Sequence, residues 1–166
     1  LDGRTAYASV ADLPQAPELA VICTPAASVV ALVQALAERG TRAAIVLTAG
    51  LSVEQKVAMQ AAARPHLLRL LGPNCIGLLS SPAKLNASFA HINPRDGNLA
   101  FVSQSGALVT AVLDWADAQA IGFSHIVSLG EHLDVDFGDM LDYLATDVHT
   151  RAILLYIESI EAPRKF

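Results

Sequence analysis

The feature that most constrains this chain is a repeated cycle in which a short, unbroken apolar run is followed by an apolar stripe at helical spacing. Leu19–Thr24 is the first such run, rich in β-branched residues and ended by Pro25. Continuous apolarity over so short a length predicts a strand buried on both faces. From Ser28 to Arg39 the positions Val29, Val30, Leu32, Val33 and Leu36 recur at helical spacing, and Gly40 supplies a left-handed stop. Ala43–Leu47 begins the cycle again, and Ser52 with Gln55 three residues later is a capping-box signature for a second helix. Leu67–Leu71 is a third run, closed by Gly72-Pro73. Parallel neighbours need crossover helices, so the alternation predicts an α/β fold with parallel sheets and disfavours an antiparallel sandwich.

Residues 79–98 break the rhythm. With Pro82, Pro94 and Gly97 and no clear periodicity, they read as a linker or long loop between two domains, with a boundary near Asp96. The division expected is therefore 1–95 and 96–166. In the second part Leu99–Ser103 predicts a strand, followed by a helix from Gly106 to about Ala120 with Leu108, Val109, Val112, Leu113 and Ala116 on one face and Gly122 as its stop. A strand over Phe123–Ser128, a helix over about Phe137–Leu144 and a strand over Ala152–Ile157 follow. Three strands make a poor independent sheet with helices on both faces, so this part is expected to be an excerpt of a longer polypeptide.

Apolar residues make up 53% of the chain and charged residues 16%, a balance that favours a substantial core over disorder. The net charge of -5 comes with no basic stripe, which argues against nucleic acid as a partner. No apolar run reaches the roughly 18 residues needed to cross a bilayer, and the start lacks the pattern of a secretory signal, so a cytoplasmic protein without a membrane partner is expected. Cys23 and Cys75 lack the paired spacing of zinc or redox motifs, and each is expected to be a small buried apolar residue.

In open parallel sheets, ligands bind beyond the carboxyl ends of the strands, where helix N-termini present free N–H groups. Ser103-Gln104-Ser105-Gly106 combines two hydroxyls with a glycine that lets backbone approach an anion, so it either suits phosphate or simply caps the helix. A nucleophile elbow is disfavoured, because Ser103 stands where the first glycine of that motif belongs. Asn74, in Gly72-Pro73-Asn74-Cys75, either hydrogen-bonds an amide-bearing ligand or forms a plain turn. Cys75 has no neighbouring base to activate it and reads as packing. Glu158, at the end of the apolar run Ile153–Ile157, is either an acceptor for a histidine or cation or a solvated strand end. His132 lies among Glu131, Asp134 and Asp136, where a metal site is conceivable, but Asp134-Val135-Asp136 more often opens a helix, and no metal ligand is assigned. His66, His91, His125 and His149 lack partners at ligand spacing and read as surface or satisfied histidines.

Five ordered motifs carry a resemblance: Leu70-Leu-Gly-Pro-Asn-Cys-Ile-Gly77, Phe101-Val-Ser-Gln-Ser-Gly-Ala107, Ser128-Leu-Gly130, Asp134-Val-Asp-Phe137 and Ile153-Leu-Leu-Tyr-Ile-Glu158. Together they resemble the α-subunit portion of succinyl-CoA synthetase and the ADP-forming acetate-CoA ligases, that is, the NDP-forming acyl-CoA synthetase family. The resemblance implies a partial Rossmann-like CoA-binding domain followed by a partial flavodoxin-like domain. The first would bind coenzyme A or acetyl-CoA, with Thr24, Pro25, Gly72, Pro73 and Asn74 near the cofactor. In the second, Ser103, Ser105 and Gly106 would hold the phosphoryl group of a phosphohistidine, and Glu158 would orient that histidine. The Gly-rich first turn of the CoA domain is expected ahead of Leu1, and the phosphorylated histidine beyond Phe166. ATP or ADP and Mg2+ would be handled by a separate nucleotide-grasp domain or subunit, acyl-CoA would be the small-molecule partner, and a homo-oligomer is compatible with the pattern. Leu85-Asn-Ala-Ser-Phe89, Leu113-Asp-Trp-Ala116 and Ile121-Gly-Phe-Ser124 are similar to the synthetase-like region of bacterial protein lysine acetyltransferases. That similarity implies an alternative role as an acetyl-CoA-sensing regulatory domain fused to a GNAT acetyltransferase.

Overall fold

The computed structural model describes residue 3 and residues 5–166. The first three strands, β1 (Leu19–Ile22), β2 (Ala43–Val46) and β3 (Arg69–Leu71), form a parallel sheet in the order β1-β2-β3. Their crossovers are α1 (Ala26–Glu38) and α2 (Val53–Ala63). Ser52 opens α2 with both halves of the expected capping box, and Gly40 takes φ +87 beyond α1. Alternation along each strand divides the sheet's two faces. Ile22, Ala44, Val46 and Leu70 pack under Val29, Val33, Leu36 and Met59 of the helices, whereas Ile45 and Leu71 point the other way, into a core shared with the second sheet. Leu67, expected in the third strand, instead closes a short 3-10 turn at φ +56 and is exposed, so the strand starts at Arg69.

The stretch 79–98 is not a loop. It contributes β4 (Gly77–Ser80), β5 (Leu85–Ser88) and the start of β6 (Arg95–Ser103). The second sheet also holds β7 (Gly122–Ser128) and β8 (Ala152–Tyr156), in the order β5-β4-β7-β6-β8. β6 pairs in parallel with β7 and β8, while β4 pairs antiparallel with β5 and β7, so this sheet is mixed and not purely parallel as expected. Two four-residue strands separated by Ser81-Pro82-Ala83-Lys84 are too short to show a period; β4 is fixed by pairing with β7, and β5 folds back onto β4 as the edge strand. The layers run α1/α2, first sheet, second sheet, α3 (Gly106–Ala118), with Val109, Leu113 and Ala116 of α3 covering Phe101 and Ile126.

α3 ends as expected near Ala120, but Ala120 itself takes the left-handed turn at φ +55, and Gly122 begins β7. Glycine is needed there for another reason: a Cβ would stand 2.1 Å from the Asp96 carbonyl oxygen, where β6 and β7 run together. α4 (Phe137–Thr146) opens on Asp136, which forms a capping box with Asp139. Asp134 accepts from Leu70 N at 2.7 Å and pairs with Arg69 at 3.0 Å, stitching this loop to β3. Both carboxylates of the Asp134-Val135-Asp136 motif are thus occupied by helix opening and an ion pair, and among the described residues no cluster of three or more His, Cys, Asp or Glu could hold a metal. Among the described residues no helix is long and apolar enough to cross a membrane.

His125, on β7, meets Asp147 at 3.0 Å, and the same carboxylate oxygen accepts from Thr150 Oγ1 at 2.6 Å. Donation from Thr150, followed by the His149 amide and His125, holds the Asp147 carboxyl below its ordinary range. A lowered folded value means that the stabilisation is present above about 3.8, the ordinary value, and is lost as pH falls from there through the folded one. Acid titration followed by circular dichroism should therefore show Asp147→Asn less stable at neutral pH and less sensitive to pH below 4 than the wild type. Parallel acid-unfolding curves for the two would remove this group from the account.

Candidate functional site

The ends of β2, β3, β6 and β8 converge on one cleft, and the loop after β1 is tied to the loop after β2 that borders it. After β1, α1 begins behind Pro25 with no side-chain cap; Ser28 N donates to the Pro25 carbonyl at 2.9 Å, while the N–H groups of Ala26 and Ala27 lack acceptors within the helix. Thr24 Oγ1 accepts from Ser28 Oγ at 2.8 Å, and the Thr24 carbonyl accepts from Thr48 Oγ1 at 2.6 Å, which ties the loop after β1 to the loop after β2. At the third strand, Asn74 N donates to the Thr48 carbonyl at 3.0 Å, and Asn74 stands exposed at φ +57. Gly72 and Pro73 are buried beneath it, and their carbonyls accept from Leu133 N and Glu131 N at 3.3 and 2.9 Å. They position Asn74 and do not line the cleft.

At the end of β6, Ser105 is the N-cap of α3, with its Oγ accepting from Leu108 N at 3.3 Å. The capping reading of Ser105 is thus realised, and it leaves the N–H groups of Gly106 and Ala107 free of acceptors within the helix. Ser103 is fully buried: its Oγ accepts from Ser105 N at 3.1 Å and donates to Ser105 O at 2.9 Å, so it shapes the turn from below. Glu158 lies past the end of β8, exposed, and within the described residues its carboxylate makes no hydrogen bond or ion pair.

Asn74, Ser105, Gly106 and Glu158 line a single cleft of about 610 Å3, together with Phe89 and Gln104. Thr24, Pro25, Gly72, Pro73 and Ser103 are not among its lining residues. Among the described residues no lysine or arginine lines it either, so the attraction they offer an anion there rests on the α3 dipole and on the free backbone N–H groups. Cys75 also borders the cleft, but burial pushes its thiol up to about 12, and Sγ points at the Val46 carbonyl at 3.4 Å. A thiol so placed is packing and not a nucleophile. Cys23, expected to be buried, is exposed at the end of β1, where the strand has already left its core face.

Sequence reasoning missed two side chains here. Phe89 is 62% exposed, an aromatic that lines the cleft together with Leu47 and Ile76, placed there by the end of the β4-β5 hairpin that had read as a loop. Gln104 is 9% exposed, and its Oε1 accepts from Glu158 N at 2.5 Å and Ser159 N at 2.9 Å. Its only sequence signal was a place between two serines of the motif.

The profile of the CoA binding domain family matches residues 1–81, and that of the succinyl-CoA ligase like flavodoxin domain matches residues 96–166. Acetate-CoA ligase [ADP-forming] I of Archaeoglobus fulgidus is 36% identical over 170 residues, covering 99% of this chain and 25% of the relative. The chain belongs to the NDP-forming acyl-CoA synthetase family. Another synthetase-family relative, the alpha subunit of acetate-CoA ligase [ADP-forming] II of Pyrococcus furiosus, is 36% identical over all of this chain and 37% of its own length. The dinucleotide forming acetyl-coenzyme A synthetase 1 of Ca. Korarchaeum cryptofilum, solved in complex with phosphate and ADP, superposes with a TM-score of 0.95 at 36% identity, over 100% of this chain and 37% of that one. The chain thus spans between a quarter and two fifths of the length of these synthetases. The acetyltransferase-fused alternative draws no support from them.

Proposed function

We propose that this chain forms the coenzyme A and phosphohistidine portion of an ADP-forming acyl-CoA synthetase, divided into a CoA-binding unit over 1–95 and a ligase-type flavodoxin unit over 96–166. The observation that supports this most is the meeting of Asn74, Ser105, Gly106 and Glu158 in one cleft, contributed by both units. In this reading the loops at Thr24-Pro25 and Gly72-Pro73-Asn74 receive acyl-CoA. The free N–H groups of Gly106 and Ala107 take a phosphoryl group, as donors fixed in advance suit a dianion. Glu158, whose carboxylate at the same cleft is unpaired among the described residues, accepts from the imidazole N–H of a histidine supplied from elsewhere in the enzyme and sets its orientation. ATP or ADP with Mg2+ is handled by a nucleotide-grasp domain or partner subunit, in the cytoplasm. The free edge of β8, with Leu154, Tyr156, Ile157 and Ile160 partly exposed, supports contact with further polypeptide, including a second copy.

Glu158→Gln in the full-length enzyme tests the assignment. It keeps the shape of the side chain but weakens the acceptor, so histidine phosphorylation should slow by about 10- to 100-fold, the scale of losing a partner that orients a reacting imidazole. Coenzyme A affinity, measured by calorimetry, should change less than twofold. Equal loss of both would make Glu158 a structural residue.

A further inference from the structure

The side chain of Gln104 faces two demands at once. Its Oε1 receives the N–H groups of Glu158 and Ser159, and since a backbone N–H can only donate, the oxygen end of the amide is fixed in that direction. Its Nε2 therefore points the other way, to Ser159 Oγ at 3.1 Å and to His132 Nε2 at 2.7 Å. An amide nitrogen has only donors, so His132 Nε2 must be the acceptor, and the ring must be neutral with its proton on Nδ1. That Nδ1 is buried with no hydrogen-bond partner among the described residues, on a side chain 7% exposed. Leaving a buried donor unpaired forfeits its hydration with nothing in return, so an unpaired donor in a native fold calls for a compensating role. The acceptor at Nε2 supplies that role.

We infer that Gln104 and His132 are a positioning pair for Glu158. Neutral His132 locks the Gln104 amide in one of its two orientations, and the locked oxygen holds the 158–159 turn that carries the carboxylate into the cleft. Turning the amide over would set its NH2 group against the N–H groups of Glu158 and Ser159, donor against donor. The inference rests on the proposed role of Glu158 only for its effect on turnover; the hydrogen-bond register stands independently of it.

The test uses the full-length enzyme. 15N NMR of histidine-labelled protein should show His132 as the Nδ1–H tautomer, and an Nε2–H tautomer overturns the inference with no variant needed. Gln104→Met keeps the length of the side chain without its polar atoms. Amide exchange at Glu158 and Ser159 should accelerate at least tenfold in this variant, with turnover down about tenfold and coenzyme A affinity within twofold of wild type. Unchanged exchange overturns the inference. Faster exchange with turnover intact confirms the pair and counts against the catalytic reading of Glu158. If Gln104→Met does not fold, His132→Leu removes the acceptor at Nε2, together with its 3.3 Å contact to Ser159 Oγ, and is expected to raise exchange at the same two amides; unchanged exchange there overturns the inference.

Discussion

Ser105→Asp in the full-length enzyme is expected to lower phosphoryl-dependent turnover by about a hundredfold while leaving the melting temperature almost unchanged. The two effects separate because Ser105 does two things. As the N-cap of α3 it accepts from Leu108 N, and aspartate ranks with serine in that role, so the helix start survives the exchange. As a neighbour of Gly106 it also borders the cleft, where the new carboxylate would face an incoming phosphoryl group. Two unit charges about 4 Å apart at an effective dielectric near 20 repel by about 4 kcal/mol, and the openness of this cleft to water reduces that to about 3. A loss of that size is about two orders of magnitude in rate. Among the described residues no lysine or arginine lines the cleft to offset the added charge. Ser105→Thr should behave as wild type in both assays. Normal turnover by Ser105→Asp would refute the anion site, and a large fall in melting temperature would show that the cap and not the charge was at fault.

The cycle of apolar runs and helical stripes was enough to place β1, β2, α1 and α2, because burial on both faces and amphipathic spacing are local properties. The hairpin of β4 and β5 was not legible. Its strands are four residues long, and β4 is joined to the sheet through β7, more than 40 residues away, so no window of sequence contains the cause. The site divides along the same line. Asn74, Ser105, Gly106 and Glu158 were visible as residues at strand ends or helix starts, positions that geometry forces to one edge of a parallel sheet. That Gly72 and Pro73 act from beneath, through carbonyls accepting from residues 131 and 133, depends on a contact between distant loops. Gln104 was hidden for a related reason: its partners, His132 and the 158–159 turn, lie 28 and more residues away.

The contact between those loops is also where the structure tolerates least change. Gly130 takes φ +57, and a Cβ built there would lie 2.3 Å from the Pro73 carbonyl oxygen and 2.5 Å from that of Asn74. Both obstacles are backbone, so no rotamer change relieves them. Left-handed backbone alone costs a residue with a side chain roughly 1–2 kcal/mol. The clash adds the loss of the bonds from Glu131 N to Pro73 O and Leu133 N to Gly72 O, at about 1 kcal/mol each. Gly130→Ala should therefore destabilise by about 3–4 kcal/mol in urea unfolding, and the displaced Asn74 loop should weaken coenzyme A binding in the fraction that remains folded. Gly50→Ala is the matching control: Gly50 takes φ +77 with nothing within 4 Å of a built Cβ, so it carries the conformational cost without the collision and should lose only about 1 kcal/mol. If the two variants lose the same stability, the loop contact contributes nothing, and Asn74 must be held by Thr48 alone. If Gly130→Ala is the less stable by 2 kcal/mol or more, the loop after β7 sets the position of the loop after β3, and the cleft depends on residues that never touch its ligand.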